Sequence, residues 1–331
     1  MYTSLELCAG AGGAALGLEQ AGFSHLGLVE NDKHACNTLC HNRPHWNVIE
    51  MDLKEFDAYQ FKGVDLVSGG VPCQPFSSGG KQLGATDERD LFPQAIRIIA
   101  ECQPKLILLE NVRGLADDKF SDYRNAIIKE LGELGYYCDW KIINAAYYGV
   151  SQARLRFVLV GKKKNVAPFP WPQPVNQVLT VGEIIRDLMG ENGWLGLDDW
   201  VARANTVAPC LVGGSKKHGG ADLGPQRAKR EWLKLSVDGK GLANAAPEKD
   251  FVGIPRLTNR MAARLQGFPD SWEFAGGKTA AYRQIGNAFP PPVTKLLGKA
   301  LIKWSATKTG TSQIAAPQKH CQQLNLPLVA R

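Results

Sequence analysis

No apolar run in this chain of 331 residues approaches the ~18 residues that a membrane-spanning helix needs. The strongest, residues 106–109, stops at Glu110. A basic-then-apolar leader is missing too, since Met1-Tyr2-Thr3 runs straight into a strand-like stretch. The expectation is a soluble, cytoplasmic protein with no membrane partner. Eight cysteines are present, at 8, 36, 40, 73, 102, 138, 210 and 321, but no Cys-x-x-Cys pair. Cys36 and Cys40 are spaced as neighbours on a helix rather than as a zinc knuckle, so no metal is expected. In a reducing compartment these thiols stay free, and any one in a special setting is a candidate nucleophile. There is no internal repeat. Hydrophobic residues make up 44% and charged residues 21% of the chain, a balance that excludes disorder for the chain as a whole. At about 100–200 residues per domain, the length suggests two domains, one large and one small.

Charge is unevenly held. Residues 1–161 carry 15 Lys+Arg against 20 Asp+Glu, a net of −5, while residues 162–331 carry 24 against 12, a net of +12. The excess is either a solvated surface or a hold on a polyanion by the second half, since phosphate neutralisation drives nucleic-acid binding. Strand-like and helix-like stretches alternate in the first half. Residues 5–8 read as a strand, 10–13 as a turn and 14–21 as a helix stopped by Gly22; 25–29 and 33–41 repeat the pair. Residues 64–67 and 106–109 are β-rich runs of the kind covered on both faces. Helical spacing recurs at 91–101 and 123–134, and 158–160 reads as a further strand. This order predicts an α/β fold, a doubly wound and mostly parallel sheet. The pattern breaks at Lys162, where a lysine run leads into Pro168, Pro170, Pro172 and Pro174, which exclude regular structure. Residues 176–250 are Gly-, Asp- and Lys-rich with weak periodicity and form the candidate second domain. Helices return at 258–266, with Arg260 and Arg264 four apart, and at 293–304, entered from Pro290-Pro291-Pro292. The Thr-, Gln- and Ala-rich residues 305–331 read as a disordered tail.

Four segments carry chemistry. Leu7-Cys8-Ala9-Gly10-Ala11-Gly12-Gly13 is a glycine turn between strand and helix, where backbone can approach a nucleotide-like ligand or merely pack a helix on a strand. Position 15 is Ala15, so the dinucleotide pattern Gly-x-Gly-x-x-Gly is missing and a ligand without pyrophosphate fits better. Glu30, past the second strand, can accept both ribose hydroxyls, and Asp52, past the third, can meet an adenine amino group. Gly69-Gly70-Val71-Pro72-Cys73-Gln74-Pro75-Phe76-Ser77 follows the 64–67 strand and stiffens the chain around one thiol. A small buried cysteine in a turn is the plainer reading; as a nucleophile the thiol needs activation. Glu110-Asn111-Val112 ends another strand and faces the same crevice; a partly desolvated Glu there can act as an acid, or only cap the strand. Gln152-x-Arg154-x-Arg156 puts two arginines on one face of an extended strand, suited to phosphate or a pyrimidine carbonyl, or to surface salt bridges.

In this order and at these spacings the four segments resemble the DNA (cytosine-5) methyltransferases of bacterial restriction–modification systems. Residues 256–270, ending Arg264-Leu265-Gln266-Gly267-Phe268-Pro269-Asp270, resemble that family's ninth motif, and Gln284-Ile285-Gly286-Asn287-Ala288-Phe289-Pro290-Pro291 its tenth. The similarity covers roughly residues 4–161 and 256–304. It implies an S-adenosylmethionine-dependent methyltransferase fold. The expected catalytic domain is 1–164 with 256–304, a small irregular target-recognition domain is 165–255, and the tail is 305–331. The implied cofactor is S-adenosylmethionine, with Gly10 and Gly12 in the binding turn, Glu30 on the ribose, Asp52 on the adenine and Asn287 at the amino-acid end. Cys8, Ala9, Gly13, Asn31, Leu53, Pro72 and Ala288 complete that site. Cys73 would add to C6 of cytosine, Glu110 would hydrogen-bond N3 and the exocyclic amine, Arg156 would bind O2 and Arg154 would support the site. Carbon 5 of cytosine is not nucleophilic until C6 is saturated, so a soft covalent nucleophile is required. The ring lies inside a duplex, so the base is expected to flip out, with residues 77–92 as a closing loop. The implied partners are double-stranded DNA and a cognate restriction endonuclease acting on the same site; monomer is the family's usual state.

Two departures stand out. Cys8 occupies the place where the family usually has a Phe that stacks on the adenine, so Leu7 or another side chain would have to substitute. The family's Thr-Leu pair in the recognition region is best matched by Cys210-Leu211. DNA contacts are expected from Ser77 and Arg89 in the loop, from Lys216 and Lys217 in the cationic stretch 212–220, and from Arg227 and Arg230. Other readings are an RNA-directed relative, disfavoured by Gln266-Gly267-Phe268-Pro269, a DNA-binding protein without catalysis, and a dinucleotide oxidoreductase, which leaves Pro72-Cys73-Gln74 unexplained.

Overall fold

The computed structural model describes residues 1–72, 90–163, 167–175, 179–213 and 220–307. Cys73, Ser77, Arg89, Lys216 and Lys217, most of the expected closing loop, and residues 308–331 of the expected tail lie outside the described residues.

Strands β1 (Tyr2–Leu7), β2 (Phe23–Glu30), β3 (Val48–Glu50), β4 (Leu66–Gly70), β5 (Leu106–Val112), β6 (Tyr136–Asn144) and β7 (Leu155–Lys163) form one sheet in the order β3-β2-β1-β4-β5-β7-β6. β1 to β5 are mutually parallel, and β7 runs antiparallel to both its neighbours, β5 and β6. Alternation along the strands explains why the sheet is covered on both faces. Leu5, Leu7, Val67, Ile107 and Leu109 bury on one face with the helices α3 (Phe92–Cys102) and α4 (Ser121–Glu133). Leu66, Leu106, Leu108, Val158 and Val160 bury on the other, under α1 (Gly13–Ala21) and α10 (Pro291–Ala306). α1 and α10 pack so tightly that a Cβ on Gly17 would lie 2.4 Å from the Pro291 carbonyl oxygen. The first strand and last helix also meet directly, Tyr2 Oη and Ser305 Oγ being 2.7 Å apart.

The predicted doubly wound sheet is present, with three differences of detail. The strand expected at 64–67 runs instead to Gly70, because Gly69 and Gly70 pair with Leu109 and Glu110 of β5. A Cβ on Gly69 would sit 2.7 Å from the Leu7 carbonyl, so the glycine belongs to a crowded strand rather than to a loop. β6 had no sequence expectation: its pattern is half-buried and polar, as suits an edge strand. The expected strand at 158–160 is the centre of a nine-residue strand.

Residues 179–213 and 220–257 hold three helices not expected from the sequence: α5 (Val181–Met189), α6 (Leu197–Arg203) and α7 (Gln226–Lys234). The start of α5 was legible as a capping box, Thr180 Oγ1 accepting from Glu183 N and Glu183 Oε2 from Thr180 N. Trp194, Trp200 and Trp232 centre their core. That core runs without a break into α8 (Asn259–Leu265) and α9 (Lys278–Asn287) through Leu257, Met261, Leu265, Tyr282 and Ile285. α2 (Lys33–Asn42), which carries Cys36 and Cys40, joins it through Leu39.

Candidate active site

A cleft opens at the carboxyl ends of β1, β2 and β4, where the strand order switches direction from β1, the usual ligand position in such sheets. It measures about 360 Å³ to its open mouth and is lined by Cys8, Val29, Glu30, Asn31, Met51, Leu53, Pro72 and Leu91. Cys8, Glu30, Asn31, Leu53 and Pro72 were expected from sequence; Val29, Met51 and Leu91 were not. Met51 and Leu53 flank Asp52, whose Oδ1 accepts from Lys54 N at 2.9 Å. Glu30 closes the strand β2 and ties the glycine turn to it: Oε2 accepts from Gly10 N at 2.8 Å, and Oε1 from Asn31 N and Asp32 N at 2.9 and 2.7 Å. Three donors leave part of the carboxylate's acceptor capacity over.

The turn glycines divide by task. Gly10 has φ +54° and a Cβ there would meet nothing within 4 Å, so its backbone is open to a ligand. Gly12 and Gly13 serve packing: a Cβ on Gly12 would lie 2.7 Å from Leu39 Cδ2, and one on Gly13 2.4 Å from the Phe289 carbonyl. Ala9 holds the turn to β2 through Ala9 N to Val29 O at 3.1 Å. Cys8 itself has φ +52°. Burial, with the nearby carboxylates of Glu30, Glu6 and Asp52, pushes its thiol far up, so it forms a neutral wall. Leu7 cannot take the place of a stacking ring, because it is fully buried in the core below the sheet's edge. Leu53, Pro72 and Leu91 supply the apolar walls instead.

The second group of expected residues converges beside this cleft. Glu110 follows Gly70 in the β4–β5 register, and a Cβ on Gly70 would sit 3.1 Å from Glu110 Oε2. Arg156, opposite Val112 on β7, brings Nε to 2.7 Å from Glu110 Oε1, with both side chains about 14% and 13% exposed. Burial pushes the Glu110 carboxyl above its ordinary range, while Arg156 and Arg154 pull against it. Asn111, missed by sequence reasoning, donates Nδ2 to the Val71 carbonyl at 2.9 Å and so holds the segment that leads to Pro72.

Arg154 is placed differently. It is 1% exposed, and its guanidinium is taken up by backbone: Nη1 reaches Leu211 O at 2.9 Å, and Nη2 reaches Gly286 O at 2.8 Å and Ala288 O at 2.9 Å. Burial, with the like charge of Arg156, brings it down to about 10. Gln152 and Gln266 extend the same buried network between the start of the strand, Leu211 and the turn after α9. Ala288 is thereby fixed, whereas Asn287 ends α9 on the exposed side. Cys210 completes the cluster, its Sγ 3.5 Å from Arg154 Nη1 and within the influence of the Arg156 charge. Away from the cleft, Arg227 and Arg230 stand exposed on α7, and neither has an ion-pair partner among the described residues.

An acid-rimmed cleft at the switch point of a doubly wound sheet with one reversed strand defines the class, an S-adenosylmethionine-dependent methyltransferase. Residues 2–303 match the model of the C-5 cytosine-specific DNA methylases, and the chain belongs to that family. It transfers a methyl group from S-adenosylmethionine to carbon 5 of cytosine in DNA. The Type II methyltransferase M.NgoMIV of Neisseria gonorrhoeae is 53% identical over 307 residues, covering 91% of this chain and 97% of the relative. M.NaeI of Lentzea aerocolonigenes, also a Type II methyltransferase, is 50% identical over 305 residues, covering 90% and 74%. Two solved structures share the fold. A DNA modification methyltransferase encoded within an Escherichia coli prophage has a TM-score of 0.64 at 24% identity, over 92% of this chain and 99% of that one. DNMT2 of Spodoptera frugiperda has a TM-score of 0.66 at 20% identity, over 91% and 100%.

Proposed function

We propose that this enzyme methylates cytosine within a short double-stranded DNA site and protects that site from a cognate restriction endonuclease, acting as a cytoplasmic, nucleoid-associated monomer. The Type II methyltransferases among its relatives support the pairing with an endonuclease. Residues 1–164 and 256–304 are the catalytic part and 165–255 the part that reads the site. Ser77, Arg89, Lys216, Lys217, Arg227 and Arg230 meet the DNA.

The roles follow from charge and position. Cys73, one residue beyond Pro72 in the cleft wall, is the nucleophile. Its thiolate adds to C6 of a flipped-out cytosine, forming the S–C6 bond as the ring electrons move toward N3. Glu110 gives N3 its proton, so that charge does not build up on the ring. Arg156 holds O2, and through its ion pair keeps the Glu110 carboxyl aimed. Arg154 holds the three backbone carbonyls around them. The open backbone at Gly10, the Glu30 rim and the apolar walls fit S-adenosylmethionine. Asp52, Asn287 and Ala288 join Cys8, Ala9, Asn31, Leu53 and Pro72 in holding it, while Gly12 and Gly13 shape the turn by letting it pack against Leu39 and Phe289. When bound, it supplies the electrophilic methyl group that carbon 5 accepts. Loss of the C5 proton then expels Cys73 as the S–C6 bond breaks, and N3 returns its proton to Glu110.

The observation that carries this reading is the desolvated Glu110–Arg156 pair standing beside the cleft. The test is bisulfite sequencing of DNA from cells expressing the protein, beside cells expressing Cys73→Ser. One short motif methylated only by the intact protein is expected. Methylation retained in the Cys73→Ser cells would overturn the mechanism.

A further inference from the structure

Cations and acids alternate in the pocket cluster. Glu110 Oε1 lies 2.7 Å from Arg156 Nε, and Cys210 Sγ lies 3.5 Å from Arg154 Nη1, with Arg156 near enough for its charge to act on the thiol. Arg154 is buried, and its Nε has no hydrogen-bond partner among the described residues. Two fixed positive charges therefore share one carboxylate and one thiol. If Glu110 is the sole anion, the guanidiniums hold it ionised, since an adjacent cation favours the charged form. A proton donor must instead keep its proton, and protonating Glu110 then strands the charge of Arg156.

We propose that Cys210 is a positioning residue whose thiolate supplies the counter-charge for Arg154 and Arg156, which frees Glu110 to hold the proton it gives to the cytosine ring. The inference rests on Glu110 being that donor. Glu110 and Cys210 then titrate as a pair that holds one proton between them.

The surroundings agree. Burial would raise the Cys210 thiol, but the two guanidiniums outweigh it and hold the thiol below its ordinary value. Burial moves Glu110 the opposite way, so the two acids approach one another. From α9, Tyr282 faces the same thiol and Arg154. Burial pushes its hydroxyl up and keeps it neutral, and Asp222, itself tied to Lys229 at 2.7 Å, adds to that. Among the described residues the thiol also meets the Leu211 carbonyl, 3.5 Å from Sγ, which already accepts from Arg154 at 2.9 Å. A thiol proton thus finds an acceptor already engaged by Arg154, whereas a thiolate finds the Arg154 donor and the nearby charge of Arg156.

The experiment is the pH profile of methyl transfer for the full-length enzyme and for Cys210→Ser, Cys210→Ala and Cys210→Asp. With serine or alanine, the alkaline limb falls at a pH about one unit lower, read as an about tenfold slower reaction just above it. The acid limb stays where it is, and aspartate returns the alkaline limb toward that of the wild type. Serine is nearly isosteric, so it reports even if alanine disturbs folding. Profiles that superimpose, or a uniform loss at every pH, make Cys210 a packing residue and overturn the inference. Failure of the underlying assignment shows separately, as a Glu110→Gln enzyme that keeps its rate.

Discussion

Gln152 donates its side-chain amide to the carboxamide oxygen of Gln266 at 2.6 Å, joining the start of β7 to the end of α8. Neither side chain is exposed. Gln152 Oε1 also accepts from Leu211 N at 2.9 Å, and Gln266 donates to the Ala288 carbonyl, which Arg154 shares. Replacing Gln152 by leucine leaves the buried Leu211 N–H without its partner, and replacing Gln266 leaves the Gln152 amide without its nearest acceptor, each at a cost of roughly 1–3 kcal/mol. Urea unfolding measures it. The double variant is expected to cost less than the sum of the two, because each removes a partner of the other.

Glu6 gives the fold a pH dependence. It is 1% exposed and bonded to Ser68 across β1 and β4. Burial, against the Ser68 hydrogen bond, pushes it from an ordinary 4.5 up to about 7. A carboxyl raised in the folded state stabilises while protonated. Its contribution is full below the unfolded value and is lost as pH rises toward about 7. The fall is on the order of 3 kcal/mol. Glu6→Gln is expected to flatten that part of the stability curve; an unchanged slope between pH about 5 and 7 would remove Glu6 as its source.

Gly13→Ala puts a methyl against the Phe289 carbonyl and pushes α1 off the turn that precedes α10. Overpacking of this kind costs about 1–3 kcal/mol. The same movement opens the cleft wall at Cys8 and Ala9, so S-adenosylmethionine binding weakens as well. Calorimetric titration separates it from Gly10→Ala, which meets no neighbour and is expected to weaken binding through backbone strain at φ +54° and a filled cradle, with less loss of stability.

On α7, Arg227 and Arg230 are exposed without ion-pair partners among the described residues, whereas Lys229 is engaged by Asp222 at 2.7 Å. Removing either arginine is expected to lower the salt dependence of DNA binding by about one phosphate contact. Lys229→Ala should change the slope less. A salt titration of binding, read as the slope of log affinity on log salt, decides between them.

The sequence showed the sheet, the cleft and, singly, Glu110 and Arg156 because each depends on local signals: apolar runs, a glycine turn, acids and arginines at strand ends; their pairing came only with the structure. The sequence did not show which glycines face a ligand, since Gly10 and Gly13 read alike until Phe289 is brought against one of them. Residue pattern alone did not part Arg154 from Arg156, although the family resemblance placed Arg156 on the base and Arg154 in support. Both look like free guanidiniums, and what separates them is a set of carbonyls at residues 211, 286 and 288. α5, α6 and α7 were missed because they are short and set among Gly-, Asp- and Lys-rich turns, although α5 and α7 each carry a strongly one-sided apolar face.

The meeting of α1 with α10, sealed by Gly17 against Pro291 and by Tyr2 against Ser305, has a consequence for timing. The helix that follows the cofactor turn meets β2 early, through His25 on the Ala15 carbonyl, but the cover it takes from α10 waits until residues near the three-hundredth have been made. Contacts this distant along a chain are slow to close and leave apolar surface waiting. The cofactor turn therefore becomes rigid only after chain far beyond it has been made, and the enzyme cannot mark DNA while those residues are still being synthesised.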